Sequence, residues 1–208
     1  MEAEKFLKPD EFARLLKAAK DDREKCILLL LAGAGLRVGE AVAIRAEDLD
    51  FDKAYLHIRS ANAKLKKART VVLLPPVIEA MQKYLASRSE GWLFPGYSGK
   101  HVSARQVQKI FDRIAERSGL QKVEHQNRVG PGRYRIHPHL LRHSFAMWSL
   151  DNGVPIYDLQ KQLGHASLAA TGVYLEASPN HRREAYLRSG LSDCLAGKRS
   201  LSLPKYSS

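Results

Sequence analysis

The chain has 208 residues, 44% hydrophobic and 27% charged, with 34 Lys and Arg against 22 Asp and Glu for a formal charge of +12. These proportions exclude wholesale disorder and suit one large domain or two small ones. The longest apolar run, Cys26 to Leu36, falls short of the ~20 residues a membrane-spanning helix needs, and Cys26 and Cys194 are too far apart to suggest a disulfide framework. The N-terminus lacks a signal-peptide layout, so a reducing cytoplasm is expected. The positive excess points first to a polyanionic partner, and nucleic acid is the commonest one.

In chain order, Lys8-Pro9-Asp10-Glu11 starts a helix, with proline in the first turn and acids complementing the dipole. Phe12, Leu15, Leu16 and Ala19 continue it at helical spacing. A second helix is expected over Arg23 to Ala32, broken by Gly33-Ala34-Gly35, and a short third over Leu36 to Ile44. Two strands follow, Tyr55 to Arg59 and Thr70 to Leu74, joined by the basic link Ser60 to Arg69. Pro75-Pro76 opens a helix to about Arg88, and Gly91 to Lys100 is a loop. Ser103 to Ser118 is amphipathic, with Val107, Ile110, Phe111 and Ile114 on one face. After the polar stretch Gln121 to Tyr134, helices are expected from Pro138 to about Asn152, from Pro155 to Gly164, from Ser167 through about Glu176, and from Ser178 to Arg188. The pattern predicts a mainly α fold with a small antiparallel β-sheet (α+β), one domain over 1–190 and a flexible basic tail over 191–208.

The charge is uneven. From Lys53 to Ile78 there are six basic residues (Lys53, Arg59, Lys64, Lys66, Lys67, Arg69) and no acid. From His125 to Leu150 there are four arginines (Arg128, Arg133, Arg135, Arg142) and four histidines, again without an acid. Such stretches suit a phosphate backbone, which a nearby carboxylate would repel; the alternative is a solvated basic loop. In the second stretch, His139 and Arg142 share a helix face at i and i+3, and His143 follows His139 at i+4. His137, His139, His143 and His165 also invite a zinc reading. It ranks lower, because no carboxylate or cysteine is close in sequence and arginine is unfavourable in a cationic metal site. A structural histidine is the further alternative. His165 lies at the turn Leu163-Gly164-His165, and Tyr174 follows it by nine residues.

Taken in order, Gly35-Leu36-Arg37-Val38-Gly39-Glu40, Lys64 before a strand, His139-Leu140-Leu141-Arg142-His143-Ser144-Phe145-Ala146, Leu163-Gly164-His165 and Tyr174 resemble the catalytic domain of tyrosine recombinases. That family includes phage integrases and Xer-type resolvases. The likeness runs from about Lys8 to Arg188.

The resemblance implies that Arg37 and Arg142 clamp the scissile phosphate, and that His139 and His165 add donors or assist proton transfer. It implies Lys64 as the general acid, Tyr174 as the nucleophile of a 3′-phosphotyrosyl link, and Glu40 as the acid supporting Arg37. Lys66, Lys67, Arg69, Arg128, Arg133, Arg135 and His143 are the candidate DNA contacts. No metal or other cofactor is expected, because cationic side chains would stabilise the charge that a phosphodiester develops under attack. The implied partner is double-stranded DNA, with a homotetramer on DNA coupled by exchange of C-terminal helices, a monomer when free, and a cytoplasmic, nucleoid-associated location. Leu187, Leu191 and Leu195 form the expected docking face of that helix; the alternative is a helix packed in cis with a disordered tail. The N-terminal DNA-clasping domain usual in the family is expected to be missing. Two alternatives remain at this stage: a nicking-closing enzyme of the type IB topoisomerase kind, and a basic DNA-binding domain without activity.

Overall fold

The structure is a computed structural model that describes residues 6–62, 68–120, 136–167 and 171–172. Seven α-helices and three strands run in the order α1 (Pro9–Ala18), α2 (Asp22–Gly33), α3 (Val38–Val42), β1 (Leu49–Asp50), β2 (Tyr55–Ile58), β3 (Arg69–Val72), α4 (Pro75–Leu85), α5 (Ala104–Arg117), α6 (Pro138–Asp151) and α7 (Ile156–Leu163) among these residues. The mainly α architecture with a small antiparallel sheet is the one the sequence predicts. The polar stretch Gln121 to Tyr134, the helix from Ser178 and the tail lie outside the described residues. Of the helix expected from Ser167, Thr171 and Gly172 are helical.

Local chemistry accounts for the helix ends. The Asp21 side chain caps α2 by accepting from the Glu24 amide at 2.8 Å. Ser103 and Gln106 form a reciprocal capping box on α5. His137 caps α6, its Nδ1 accepting from the Leu140 amide at 3.2 Å, with Pro138 at the first helical position. The helix from Pro75 stops at Leu85, short of the predicted Arg88, because Ala86 turns left-handed at φ 51°. Arg88 then folds back, donating to the carbonyls of Trp92 and Leu93.

Helix α2 is central. It buries Cys26, Ile27, Leu28, Leu30, Leu31 and Ala32 and packs against α4, α5 and α6. A helix apolar on most sides needs neighbours on most sides, which is why the Cys26 to Leu36 run forms core rather than a membrane span. No helix among the described residues is long and apolar enough to cross a membrane. The sheet has the order β1-β2-β3 and is antiparallel throughout, with Tyr55 opposite Val72 and Ile58 opposite Arg69. Strand β1 escaped the sequence reading: two residues are too few for an alternation to show. The register also makes Arg69, expected in the link, the first residue of β3.

A second, smaller core joins α6 to α7 through Ala146, Met147, Leu150, Leu159 and Leu163. Burying Leu159 and Leu163 contributes about 1.5–3 kcal/mol each and holds α7 against the body. The segment before α1 is tied to the same helix, with the Leu7 amide donating to Ser144 Oγ at 2.8 Å and Trp148 Nε1 donating to the Leu7 carbonyl at 3.0 Å.

Candidate active site

Two glycines shape the ground on which the site stands. Gly35 (φ 67°) reverses the chain between α2 and α3, and a Cβ there would meet the Phe145 ring at 2.5 Å. Gly164 (φ 64°) ends α7 in the left-handed conformation, and a Cβ there would meet the Arg69 side chain at 2.9 Å. Both positions need a residue without a side chain for backbone and packing reasons together.

Arg37 is the residue immediately before α3, and Glu40 lies one turn on. The Glu40 carboxylate accepts from the Arg37 amide at 2.9 Å and from Arg37 Nη1 at 3.1 Å. Glu40 is buried, and Arg69 grips both of its oxygens at 2.8 and 3.0 Å in a bidentate fork. Arg142 approaches the same carboxylate, its Nη1 standing 3.8 Å from Glu40 Oε2. Burial alone would raise the Glu40 pKa. The hydrogen bonds and charge of Arg69, the Arg37 amide and the charge of Arg142 outweigh that and hold it below the ordinary carboxylate value.

The same three arginines converge on the end of α7. Arg142 donates to the Gly35 carbonyl at 2.6 Å and to the Leu163 carbonyl at 2.7 Å, Arg37 reaches Leu163 at 3.5 Å, and Arg69 Nε donates to the Gln162 carbonyl at 3.1 Å. The last carbonyls of a helix lack intrahelical partners and carry the negative end of its dipole, so cations satisfy them doubly. Three guanidiniums around one carboxylate leave a formal excess of two positive charges at this seam. Such an excess, on planar forked donors, is suited to a tetrahedral oxyanion.

His165 follows directly. Its amide donates to the Gln160 carbonyl at 3.2 Å, and its Nδ1 lies 2.9 Å from Thr171 Oγ1. Burial, then the charges of Arg142, Arg37, Arg69 and His139, push its pKa down to about 4, so the imidazole is neutral at pH 7. His139 is exposed in the first turn of α6, its ring stacked on His137 with centroids 6.4 Å apart. His143 is half-buried on the same helix.

The structure thus brings Arg37, Glu40, Arg142 and His165 together. It revises one expectation. Arg69, grouped with the DNA contacts, is turned inward with its side chain only 12% exposed and its guanidinium engaged by Glu40 and Gln162. The cause is the strand register, which aims it at a buried carboxylate. No group of three or more metal-ligating side chains forms among the described residues, and His165 stands among arginines. Lys64, Lys66, Lys67, Arg128, Arg133, Arg135 and Tyr174 lie outside the described residues. The sequence reading missed Gln162 and Thr171, whose partners are distant in the chain or set by a turn, and no local pattern marks either.

The chain is similar to known proteins over most of its own length. The chain is 34% identical over 196 residues to the tyrosine recombinase XerA of Pyrococcus horikoshii, covering 93% of this chain and 64% of that one. It is 33% identical over 201 residues to the tyrosine recombinase XerC of Thermodesulfovibrio yellowstonii, covering 89% of this chain and 62% of that one. A crystal structure of XerA recombinase superposes with a TM-score of 0.71 at 29% identity, covering 88% of this chain and 65% of that one. The chain therefore spans less than two thirds of the length of these relatives. The sequence model of the phage integrase family matches residues 5–181, and on that match and this fold the chain belongs to the phage integrase family of tyrosine recombinases.

Proposed function

We propose that this chain carries the active site of a site-specific recombinase that cleaves and rejoins double-stranded DNA through a 3′-phosphotyrosyl link, without metal or ATP. The observation that carries the reading is the convergence of Arg37, Arg69 and Arg142 on Glu40 and the end of α7, with neutral His165 beside them. In this reading Glu40 and the α7 carbonyls orient the guanidiniums, and Arg37 and Arg142 bind the non-bridging oxygens of the scissile phosphate. The Tyr174 oxygen attacks phosphorus and loses its proton, and His139 and His165 are assigned to receive or relay it. The bond from phosphorus to the 5′-oxygen breaks, and Lys64 supplies the proton that the leaving oxygen takes up. Charge developing on the equatorial oxygens is met by donors already in place, which is the main source of rate. One ester replaces another, so rejoining by a 5′-hydroxyl needs no external energy.

Lys66, Lys67, Arg128, Arg133, Arg135 and His143 are assigned to the DNA backbone, where each neutralised phosphate steepens the salt dependence of binding. A homotetramer on DNA, coupled by exchanged C-terminal helices, and a nucleoid-associated location complete the proposal. A cleft of about 240 Å³, lined by Gly33, Val72, Leu74, Phe145, Val154 and Leu159 with Ser149, Asp158 and Gln162 beside them, offers a seat for Leu187, Leu191 and Leu195 from a neighbouring subunit or, as the alternative, from the same chain.

The test is trapping on a nicked suicide duplex, from which the leaving fragment diffuses away. A covalent adduct mapped to Tyr174, absent in Tyr174→Phe and insensitive to chelator, is the expected result. Adduct formation by Tyr174→Phe overturns the mechanism. Relaxation of any supercoiled plasmid without strand exchange at a specific site would make the enzyme a nicking-closing one instead.

A further inference from the structure

We propose that Gln162 and Arg69 form a latch between strand β3 and the end of α7, and that they are positioning residues for His165. The latch begins at the sheet edge. Val72 turns its amide and carbonyl away from β2, and the Gln162 carboxamide meets both: Oε1 accepts from the Val72 amide at 2.9 Å, and Nε2 donates to the Val72 carbonyl at 3.0 Å. One side chain thus stands where a fourth strand would stand, and it closes an edge that would otherwise be open. The same Nε2 lies 3.4 Å from the Ala34 carbonyl, at the turn that leads to Arg37.

Three residues earlier on β3, Arg69 completes the connection. Its Nε donates to the Gln162 carbonyl while its two terminal nitrogens hold Glu40. Its side chain also packs against Gly164, the residue before His165, so closely that a Cβ at 164 would fall 2.9 Å from it. Side chain and main chain of Gln162 are therefore both bound to one strand, at positions 69 and 72. That fixes where α7 ends and where the next residues turn. His165 stands three residues beyond Gln162.

This inference rests on the proposed recombinase reading for its activity readout, and on a second readout that needs no DNA. The second is the titration of the His165 imidazole in the free chain by NMR, assigned through His165→Gln. His165 is faced by Arg142 and His139 of α6, Arg37 before α3, Arg69 of β3 and the Thr171 hydroxyl. The variants are Gln162→Leu, which keeps bulk and removes both bonds to Val72, and Arg69→Lys, which keeps charge and loses the fork. Gln108→Leu on α5, whose carboxamide bonds only to Asp112 among the described residues, is the control.

With the latch open, water reaches the turn. The His165 midpoint then rises from about 4 toward the ordinary value of about 6.5 in both variants. Adduct formation on the suicide duplex slows about tenfold or more, as expected for a misplaced His165, while DNA affinity stays within about twofold. The control matches wild type in both readouts. An unchanged His165 midpoint in folded Gln162→Leu overturns the proposal, whatever the adduct rate. A wild-type chain that forms no adduct overturns the recombinase reading alone, and the titration still decides the latch.

Discussion

Two arginine–carboxylate clusters stand on opposite sides of the strand ladder, made from the same residue types. Beside β1, Arg59 Nε bonds Asp48 at 2.6 Å, Arg45 bonds Glu47 at 3.0 Å, and the Arg45 guanidinium lies 4.5 Å from the Trp92 ring centre. That cluster has two cations for two anions, and both of its arginines are more than a third exposed. At the end of α7, three arginines share the single carboxylate of Glu40, and Arg142 is fully buried. The first cluster neutralises itself and can only brace the fold. The second holds three cations around one anion, and under the proposed function its surplus is what the phosphate would meet. Charge balance and burial, not the presence of arginine, separate a structural ion pair from an anion site.

Breaking each cluster should reveal the difference. Glu40→Gln removes the one anion among three buried or half-buried guanidiniums, and should cost about 3–5 kcal/mol of stability by chemical denaturation. Because the site is shielded, that loss should persist in high salt. Arg59→Ala should cost about 1 kcal/mol or less, fade as salt is added, and leave adduct formation on the suicide duplex at the wild-type rate. Equal costs and equal salt responses in the two variants would erase the distinction.

A further effect concerns pH. His165 has a folded pKa near 4 against an ordinary 6.5, so protonation favours the unfolded chain. The stability it contributes is whole above pH 6.5 and is lost as pH falls toward 4. His165→Gln should flatten that part of the curve of melting temperature against pH. Parallel curves for variant and wild type would mean that the imidazole is not held neutral.

How far the site could be read from residues alone varies position by position. Arg37, Glu40, His139, Arg142 and His165 stand out together because their short motifs resemble those of tyrosine recombinases, not by any local rule of capping or spacing. Gly35 and Gly164 were legible as helix breaks, yet their closeness to Phe145 and to Arg69 was not, because both neighbours are remote in sequence. Arg69 was misjudged for the same reason. Its neighbours Lys66 and Lys67 suggested an outward basic stretch, and only pairing with Ile58 turns it toward Glu40. Gln162 carried no signal, since a glutamine near a helix end is ordinary until a strand edge lies against it. Strand β1 was too short to announce itself.

The sequence by itself determined the class of the protein: its helices and their caps, its β-pair, its ordered motifs and its positive surplus. These depend on spacing within a few residues, where backbone geometry leaves little choice. Tertiary structure alone decided that Arg69 joins Arg37 and Arg142 at Glu40 and the end of α7. Those assignments depend on contacts between segments up to 126 residues apart, and a guanidinium takes its role from whichever carboxylate or helix end the fold brings to it.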